Sequence, residues 1–286
     1  MELSTQDLVL DADSGVDMQM HTTNSDGTWS PEQMVDYLKA QKFGVAAITD
    51  HDRVDQTAVI QQLAIEKGQP ILVAAEFSAN WRGNSVDVLC FGFDPDNEAL
   101  KAVAASVLAR QQENSRQVYD YLLKQDYRFE SESHSLESVL KRPSAGQPFA
   151  LSDLLTAQGL DPASAWKIIT AGGMAFTTTP IAAVVEAIHN SGGVCLIAHP
   201  GRGQFWPVFD PQLLDDIRSD VPLDGFEAYY PLHSEEQMAM YVDYAETHNL
   251  LVSSGSDSHG KNRDPIQYPA KDSRKLLERL GVEVRG

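Results

Sequence analysis

The sequence predicts an α/β fold of repeated βα units that is interrupted by a helical insertion. Short apolar runs alternate with helical patterns from Gly15 onward, and this rhythm stops between residues 96 and 175, where no strand of convincing length occurs. Hydrophobic residues make up 42% of the 286 positions, which predicts a sizeable core. We therefore expect an α/β domain built from residues 15–95 and 176–286, a helical insertion at 96–175 that covers its active face, and an N-terminal tail at 1–14.

Individual elements can be predicted from apolar periodicity and from helix start signals. Ser30 and Pro31 mark the first helix, with Ser as the N-cap and Pro at the first helical position. The predicted strands are residues 16–20, 44–49, 71–75, 86–93, 194–198, 225–229 and 251–254, and the helices outside the insertion are 31–42, 57–67, 181–190 and 235–248. In the insertion we expect one or two long helices at about 97–127 and short ones near 150–158 and 162–169.

Charge and cysteine content exclude several classes of protein. The formal net charge is −19, from 22 basic and 41 acidic residues, which argues against binding long nucleic acid but not against a small phosphorylated ligand. Cys90 and Cys195 lie in apolar runs and are expected to be buried free thiols. They form no CxxC pair, so a thiolate zinc site is not expected.

Membrane and export signals are not found in the sequence. No apolar run approaches the roughly 20 residues that cross a bilayer. The first residues are acidic and lack the basic start and apolar stretch of a signal peptide. We expect a soluble, cytoplasmic protein, and the oligomeric state stays open.

Titratable residues gather at the ends of the predicted strands. In parallel α/β architectures these ends form the functional face, so residues distant in sequence converge there. Four of the eight histidines fall at these positions, and imidazole with carboxylate ligands suits zinc, manganese or iron. The candidate metal ligands are Gln19, His21, Asp26, His51, Glu76, Asp87, His199, Asp257 and His259.

Each of these residues also has a structural interpretation. A single His is more often a hydrogen-bonded core residue than a ligand, and an Asp in TDHD or SDG can cap a helix or a turn. Gly201 and Arg202 could form an ordinary turn. Jointly, the residues favour a metal site. Among the other histidines, His233 is the one candidate for substrate contact, whereas His134, His189 and His248 are expected at the surface.

The segments VDMQMHTTNSDGTWSPEQMV, AITDHD, VAAEFS, LIAHPGR and SSGSDSH resemble the PHP (polymerase and histidinol phosphatase) superfamily. The resemblance extends to its stand-alone bacterial branch, which dephosphorylates nucleotides such as 3′,5′-bisphosphates. It implies a distorted (β/α)7 TIM-like barrel with two to three divalent ions (Mn, Zn or Fe). It also implies that Glu76 bridges two ions, that Asp26, His51 and His259 surround one ion, and that His21, Glu76 and Asp257 surround another, with His199 as a further ligand.

Three positions depart from the family pattern. Gln19 stands where the first motif normally has His, and an amide oxygen is a poorer ligand for zinc or iron. Asp87 stands where relatives often have a fourth-strand His, which favours harder ions such as manganese. Gly146-Gln147-Pro148 replaces an Arg-x-His that relatives use for substrate phosphate. Arg202 remains the main phosphate-binding candidate, with Lys261 and Arg263 as weaker ones.

These observations lead to the hypothesis of a hydrolase that cleaves a small phosphorylated substrate by means of a metal-activated hydroxide. The substrate would be a nucleotide, such as a 3′,5′-bisphosphate, or a short oligonucleotide end. His259, Arg202 and Asp257 are the candidate catalytic residues. One alternative is a PHP-like protein that binds a phosphorylated ligand or a partner without turnover. Another is a nuclease or a polymerase-associated editing domain.

Overall fold

The structure, a computed structural model, describes residues 1–129, 131–203, 207–261 and 263–286. In chain order, its helices and strands are β1 (Val9–Asp11), β2 (Gly15–Asp17), α1 (Pro31–Ala40), β3 (Val45–Ala47), α2 (Thr57–Lys67), β4 (Ile71–Leu72), β5 (Ala74–Trp81), β6 (Asn84–Phe91), α3 (Glu98–Lys124), α4 (Leu136–Leu140), α5 (Gly146–Thr156), α6 (Pro162–Ala171), β7 (Thr179–Pro180), α7 (Ile181–Asn190), β8 (Val194–Ile197), α8 (Pro211–Asp220), β9 (Gly225–Tyr229), α9 (Glu235–Thr247), β10 (Leu251–Ser254), β11 (Tyr268–Pro269), α10 (Arg274–Arg279) and β12 (Glu283–Arg285).

Hydrogen-bonded strands of the described residues form three sheets. One has the order β10-β9-β8-β6-β5-β7, another the order β11-β2-β3-β4, and β1 pairs with β12. Strand β6 is antiparallel to both β5 and β8, whereas β8, β9 and β10 are parallel to one another. Single parallel bridges, Met20 with Ser258 and His51 with Glu76, connect the two larger sheets. The predicted α/β class is confirmed, and closure into a seven-stranded barrel stays a prediction.

Several predicted elements occur with the same bounds, namely α2, α7, β9 and β10. The first predicted strand is shorter than expected: after Asp17, the backbone N–H of Gln19 donates to the Asp17 carboxylate and not to a neighbouring strand. The third predicted strand divides into β4 and β5. Glu76 therefore lies inside a strand and not after its end, which corrects the prediction.

The N-terminal segment is part of the fold. Val9–Asp11 pairs in parallel with Glu283–Arg285, and Leu10 is buried in the core that also contains Val284. The prediction that residues 1–14 form a tail was wrong. Strands of three residues carry too little periodicity to be detected from sequence.

The chain divides into two compact units. We call Met1–Val103 with Thr178–Gly286 the αβ unit, and Ala104–Thr177 the helical unit. The division falls within α3, which is a single helix of 27 residues. The helical unit has its own buried core, formed by Val118, Leu122, Val139, Leu151, Leu154, Leu155, Ala165 and Ile169. That the insertion covers the active face stays a prediction.

The start of α1 is specified by a local capping signal in the sequence. At the start of α1, Ser30 and Gln33 form the reciprocal capping bonds, and Pro31 follows the cap as predicted.

Cys90 and Cys195 are buried free thiols, as predicted. Among the described residues, no helix combines the length and the apolar character needed to cross a membrane.

Candidate metal centre

Backbone hydrogen bonds join the first and last motifs. The His21 N–H donates to the Ser258 carbonyl at 2.8 Å, and the Asp257 N–H donates to the Gln19 carbonyl at 3.0 Å. These bonds belong to the bridge between Met20 and Ser258, which follow β2 and β10. The pairing brings His21 and Asp257 together although more than 200 residues separate them.

A second bridge joins the motifs that follow β3 and lie in β5. The Asp52 N–H donates to the Glu76 carbonyl at 2.8 Å, and the Glu76 N–H donates to the Thr49 carbonyl at 3.1 Å. On the other side, the Ala198 N–H donates to the Asp87 carbonyl at 3.0 Å, which fixes the chain just before His199.

The Glu76 carboxylate lies among three of the predicted histidines. Its Oε2 is 3.0 Å from His21 Nε2 and 4.0 Å from His51 Nε2, and its Oε1 is 3.4 Å from His199 Nε2. Gln19 Nε2 also donates to Oε2 at 2.8 Å. Glu76 is 1% exposed and thus occupies the centre of the site.

The opposite side of His21 faces Asp26 and His259. Asp26 lies 3.7 Å from His21 Nδ1 and 3.3 Å from His259 Nε2. The His21 ring is stacked between those of His51 and His259, with centroids 4.7 Å and 4.4 Å away. Three imidazoles are thus stacked in a row, with carboxylates at their ring nitrogens.

The described residues contain three sets of side chains whose donor atoms lie within 4.8 Å of one another. The sets are His21 with Asp26 and His259, His21 with His51 and Glu76, and Glu76 with Asp87 and His199. Such mixed nitrogen and oxygen donors suit zinc, manganese or iron. The buried Oε1 of Gln19 has no hydrogen-bond partner among the described residues, so a cation there would satisfy an otherwise unpaired acceptor. The residues fit divalent ions.

The family resemblance implied a somewhat different grouping. His51 was expected to join Asp26 and His259, but as the side chains lie it forms a set with His21 and Glu76. Which residues coordinate which ion therefore stays a prediction.

Asp257 connects the site to two arginines. Its Oδ1 lies 3.3 Å from His21 Nε2 and 3.5 Å from His259 Nδ1. Its Oδ2 is 3.2 Å from Arg263 Nη1 and 3.4 Å from Arg202 Nη1, and Tyr230 Oη donates to it at 3.3 Å. Both guanidinium groups thus converge on one carboxylate oxygen, and both side chains are partly exposed.

Charge pairing controls protonation in this site. Burial opposes protonation of His21, but hydrogen bonds to Asp257 and Glu76 raise its pKa well above the ordinary value. Burial likewise opposes ionisation of the carboxylates. Nearby imidazoles, His51 foremost, nevertheless hold the pKa of Glu76 well below its usual range, and His21 holds that of Asp257 at about 2. Without ions, the site therefore retains protons on imidazoles beside ionised carboxylates.

The backbone is strained where the predicted ligands sit. His199 has φ +32° and Asp257 has φ +51°, a region that L-residues rarely adopt. Such strain is common where a functional site requires it. Gly27 is also constrained, because a Cβ there would come within 2.3 Å of the His21 carbonyl oxygen. A side chain at this position would displace the turn between His21 and Asp26.

The other substrate candidates differ in their surroundings. Both ring nitrogens of His233 contact backbone: Nε2 accepts the Gly201 N–H at 3.0 Å, and Nδ1 is 2.9 Å from the Ala228 carbonyl. Burial lowers its pKa, which agrees with a neutral ring that holds the Gly201 turn. His233 therefore supports the backbone at Gly201, and the prediction of a substrate contact is corrected. Lys261 is exposed.

Three buried acids, Asp50, Asp17 and Glu227, support the site but were not among the residues predicted from the sequence. Asp50 accepts hydrogen bonds from the Thr22 N–H, the Thr22 hydroxyl and the Ser25 hydroxyl at 2.6–2.8 Å. Asp17 accepts the N–H groups of Ser256, Gln19 and Ile266. Of these acids, only Asp50 could have been identified from the sequence, because an Asp in TDHD was expected to cap a helix or a turn.

Glu227 is the third of these acids. Its Oε2 accepts the His199 N–H at 2.9 Å, and its side chain is completely buried. Burial, together with Asp257 and Glu76 nearby, raises its pKa well above the ordinary value. A Cβ on Gly255 would come within 2.3 Å of Glu227 Oε1 and 2.6 Å of Gln19 Cβ, so a side chain there would displace Glu227 or Gln19.

Several known proteins resemble this chain in sequence, although no family model matches it. It is 26% identical over 263 residues to a 3′,5′-nucleoside bisphosphate phosphatase of Chromobacterium violaceum, covering 86% of this chain and 87% of that protein. It is also 26% identical over 264 residues to a 5′-3′ exoribonuclease of Haemophilus influenzae, covering 87% and 94%.

One crystal structure combines a similar fold with a comparable sequence identity. It is that of a protein from Bifidobacterium adolescentis described as a metal-dependent phosphoesterase, with a TM-score of 0.79, 27% identity, and coverage of 93% of this chain and 96% of that one. The expected resemblance is confirmed: in sequence and fold the chain is similar to PHP-like metal-dependent phosphoesterases.

Proposed function

We propose that the protein is a metal-dependent phosphoesterase that hydrolyses a small phosphorylated substrate, with a nucleotide as the preferred class. The central observation is the buried Glu76 carboxylate, whose two oxygens face imidazoles on different sides. The relatives supply the substrate class, because their names specify a nucleoside bisphosphate and RNA.

The three donor sets are the residues that would hold two or three divalent ions (Mn, Zn or Fe). When bound, the ions would lower the pKa of a water molecule and attract the phosphoryl oxygens. Gln19 and Asp87 favour harder ions such as manganese, because both offer oxygen donors. In the present arrangement, Gln19 directs its amide N–H to Glu76, so ligation through its oxygen would use the atom that is otherwise unpaired.

The protein's own residues would then bind and orient the phosphate. Arg202 and Arg263 approach Asp257 Oδ2 with partly exposed side chains, and a guanidinium group is suited to binding phosphoryl oxygens. Asp257 acts mainly by positioning, since it holds both guanidinium groups and His21. His259 has a 37% exposed side chain, more than the other three site histidines, and we assign it proton transfer to the leaving oxygen.

The test combines metal analysis with phosphate release from nucleotide mono- and bisphosphates and from a size series of single-stranded oligonucleotides. His51→Ala should lose bound metal and nearly all turnover, and Asp257→Ala, which releases both arginines and His21, should lose nearly all turnover. His134→Ala, at a half-exposed His in the helical unit, should retain both metal and turnover. Normal turnover of metal-replete His51→Ala and Asp257→Ala proteins would refute the proposed site. The oligonucleotide series also tests the prediction that long nucleic acid is not a substrate.

A second candidate function is binding of a phosphorylated ligand without hydrolysis. It is favoured by the 2.8 Å hydrogen bond from Gln19 to Glu76, which occupies an oxygen that could otherwise bind an ion. Stoichiometric nucleotide binding with no phosphate release, across several divalent metals, would support this alternative over the enzyme.

A further inference from the structure

The turn from His199 to Arg202 joins a predicted metal ligand to the main phosphate-binding candidate. The turn closes through the Arg202 N–H, which donates to the His199 carbonyl at 3.0 Å. His199 has φ +32°, and such a conformation persists only where surrounding contacts hold it. Glu227 of β9 provides one of these contacts, because its Oε2 accepts the His199 N–H at 2.9 Å.

His233 holds the middle of the turn. Its Nδ1 lies 2.9 Å from the Ala228 carbonyl, which can only accept, so Nδ1 carries the proton and Nε2 accepts the Gly201 N–H at 3.0 Å. The buried ring packs against the rings of Tyr230 and Tyr241, with centroids 5.1 Å and 5.2 Å away. This packing fixes the position of the nitrogen that binds the turn.

Gln237 of α9 holds the other polar group of the same glycine. Its Nε2 donates to the Gly201 carbonyl at 3.1 Å, and its Oε1 accepts the Ser234 N–H at 2.9 Å in the capping box of α9. A Cβ on Gly201 would come within 2.7 Å of Gln237 Nε2 and 2.8 Å of His233 Cδ2, so a larger residue would displace these side chains. Both backbone polar groups of Gly201 are therefore bound by side chains that follow β9.

The position of Gly201 determines where Arg202 begins. Arg202 Nη1 lies 3.4 Å from Asp257 Oδ2, and its side chain is 25% exposed. A guanidinium group binds phosphate through donors in a fixed planar fork, so its affinity depends on where the backbone places it. The three donor sets contain neither His233 nor Gln237, and His199 has its own contact with Glu227.

We propose that His233 and Gln237 are positioning residues, which hold the Gly201 backbone so that Arg202 meets the substrate phosphate, and that they take no part in metal binding. The proposal rests on the proposed function for the assignment of Arg202 to the phosphate. Because the turn is held before the substrate arrives, phosphate binding needs less ordering of the chain.

The test measures binding of inorganic phosphate to the full-length, manganese-loaded protein by calorimetry, together with KM, kcat and metal content. His233→Phe keeps a ring but removes the acceptor, and Gln237→Met keeps the side-chain length but removes the donor. Each change should weaken phosphate binding and raise KM about fivefold, as expected for the loss of one hydrogen bond. kcat should change by less than about twofold, with manganese content unchanged.

Matched variants separate positioning from general stability. Gln33→Met makes the same change in the capping box of α1, where Gln33 Oε1 accepts the Ser30 N–H, and it should leave phosphate affinity unchanged. His233→Gln restores an acceptor and should recover most of the affinity. If His233→Phe fails to fold, Gln237→Met, at a half-exposed position of α9, provides the same test.

A double-mutant cycle decides whether the two residues act through Arg202. In the Arg202→Ala protein, His233→Phe and Gln237→Met should each change phosphate affinity by less than about twofold, because the group that they position is gone. Equal fold-changes with and without Arg202 would overturn the proposal. So would unchanged phosphate affinity and KM in both variants, a matching loss of manganese, or a parent protein that binds no phosphate.

Turnover separates this proposal from the proposed function. Phosphate binding that depends on His233 and Gln237, without hydrolysis of any phosphoester, would contradict only the phosphoesterase. Hydrolysis with KM unchanged in both variants would contradict only the positioning role.

Discussion

Asp50 is expected to hold the loop that carries His21 and Asp26, and its replacement tests how the site is built. Its carboxylate is 2% exposed and accepts hydrogen bonds at 2.6, 2.7 and 2.8 Å from Thr22 and Ser25. Asp50→Ala would remove all three acceptor contacts and leave a buried N–H and two hydroxyls without them. At about 1–3 kcal/mol for each unsatisfied group, partly offset by rearranged hydroxyls, we expect unfolding free energy to fall by about 3–5 kcal/mol.

The same change should weaken metal binding. Residues that support ligands from behind typically contribute a factor of about 10–100 in metal affinity. Ser25→Ala removes one bond to Asp50 and should cost about 1–2 kcal/mol of stability, with a smaller loss of affinity. Asp50→Asn should lie between the two, because one amide oxygen can still accept the Thr22 N–H.

The assays are urea unfolding of the metal-free protein and calorimetric titration with manganese. Asp55→Ala is the control: its exposed carboxylate pairs with Arg53, and its loss should cost below about 1 kcal/mol. If Asp50→Ala matched the parent protein in both urea midpoint and manganese affinity, the supporting role assigned to Asp50 would be wrong.

Four other changes have expected outcomes. Glu76→Gln should abolish most metal binding, measured as metal content, because one carboxylate serves several imidazoles; unchanged content would contradict its central role. Metal affinity should fall as the pH is lowered and keep rising above neutral pH, because the raised pKa of His21 means that a proton must leave before an ion binds. Calorimetry in two buffers would measure the released proton. A metal affinity that does not change with pH would contradict this prediction. Gln19→His should tighten zinc binding relative to manganese, and equal relative affinities would show that position 19 is not a ligand. Arg263→Ala should raise KM about tenfold with little change in metal content, and loss of metal instead would assign Arg263 a structural role.

Much of the site was predictable because its chemistry follows strand ends. His21, His51, His199, Asp257 and His259 all follow short buried strands, and periodicity detects where such strands occur. The expectation that site residues follow strand ends does not hold for Glu76 and Asp87, which lie inside β5 and β6. These two strands are antiparallel neighbours, so their side chains reach the site from within the strand and not from its end.

Contacts between distant segments could not be predicted in the same way. The two arginines on Asp257 Oδ2 come from different loops, and their distances depend on how β8 and β10 are placed in the sheet. The stretch Gly146-Gln147-Pro148 provides another example. Its Gln147 is buried and accepts the Ser115 hydroxyl at 2.8 Å, which makes it part of the helical core.

The sequence by itself determined the α/β class, the mixed imidazole and carboxylate chemistry, and the family resemblance, because these depend on residue type and local spacing. Tertiary structure alone decided that Val9–Asp11 pair with the C-terminal strand, that His233 supports a turn, and that Gln19 donates to Glu76. Each of these depends on the register between strands or loops far apart in the chain. Local periodicity specifies which residues face inward, but not which distant backbone they meet.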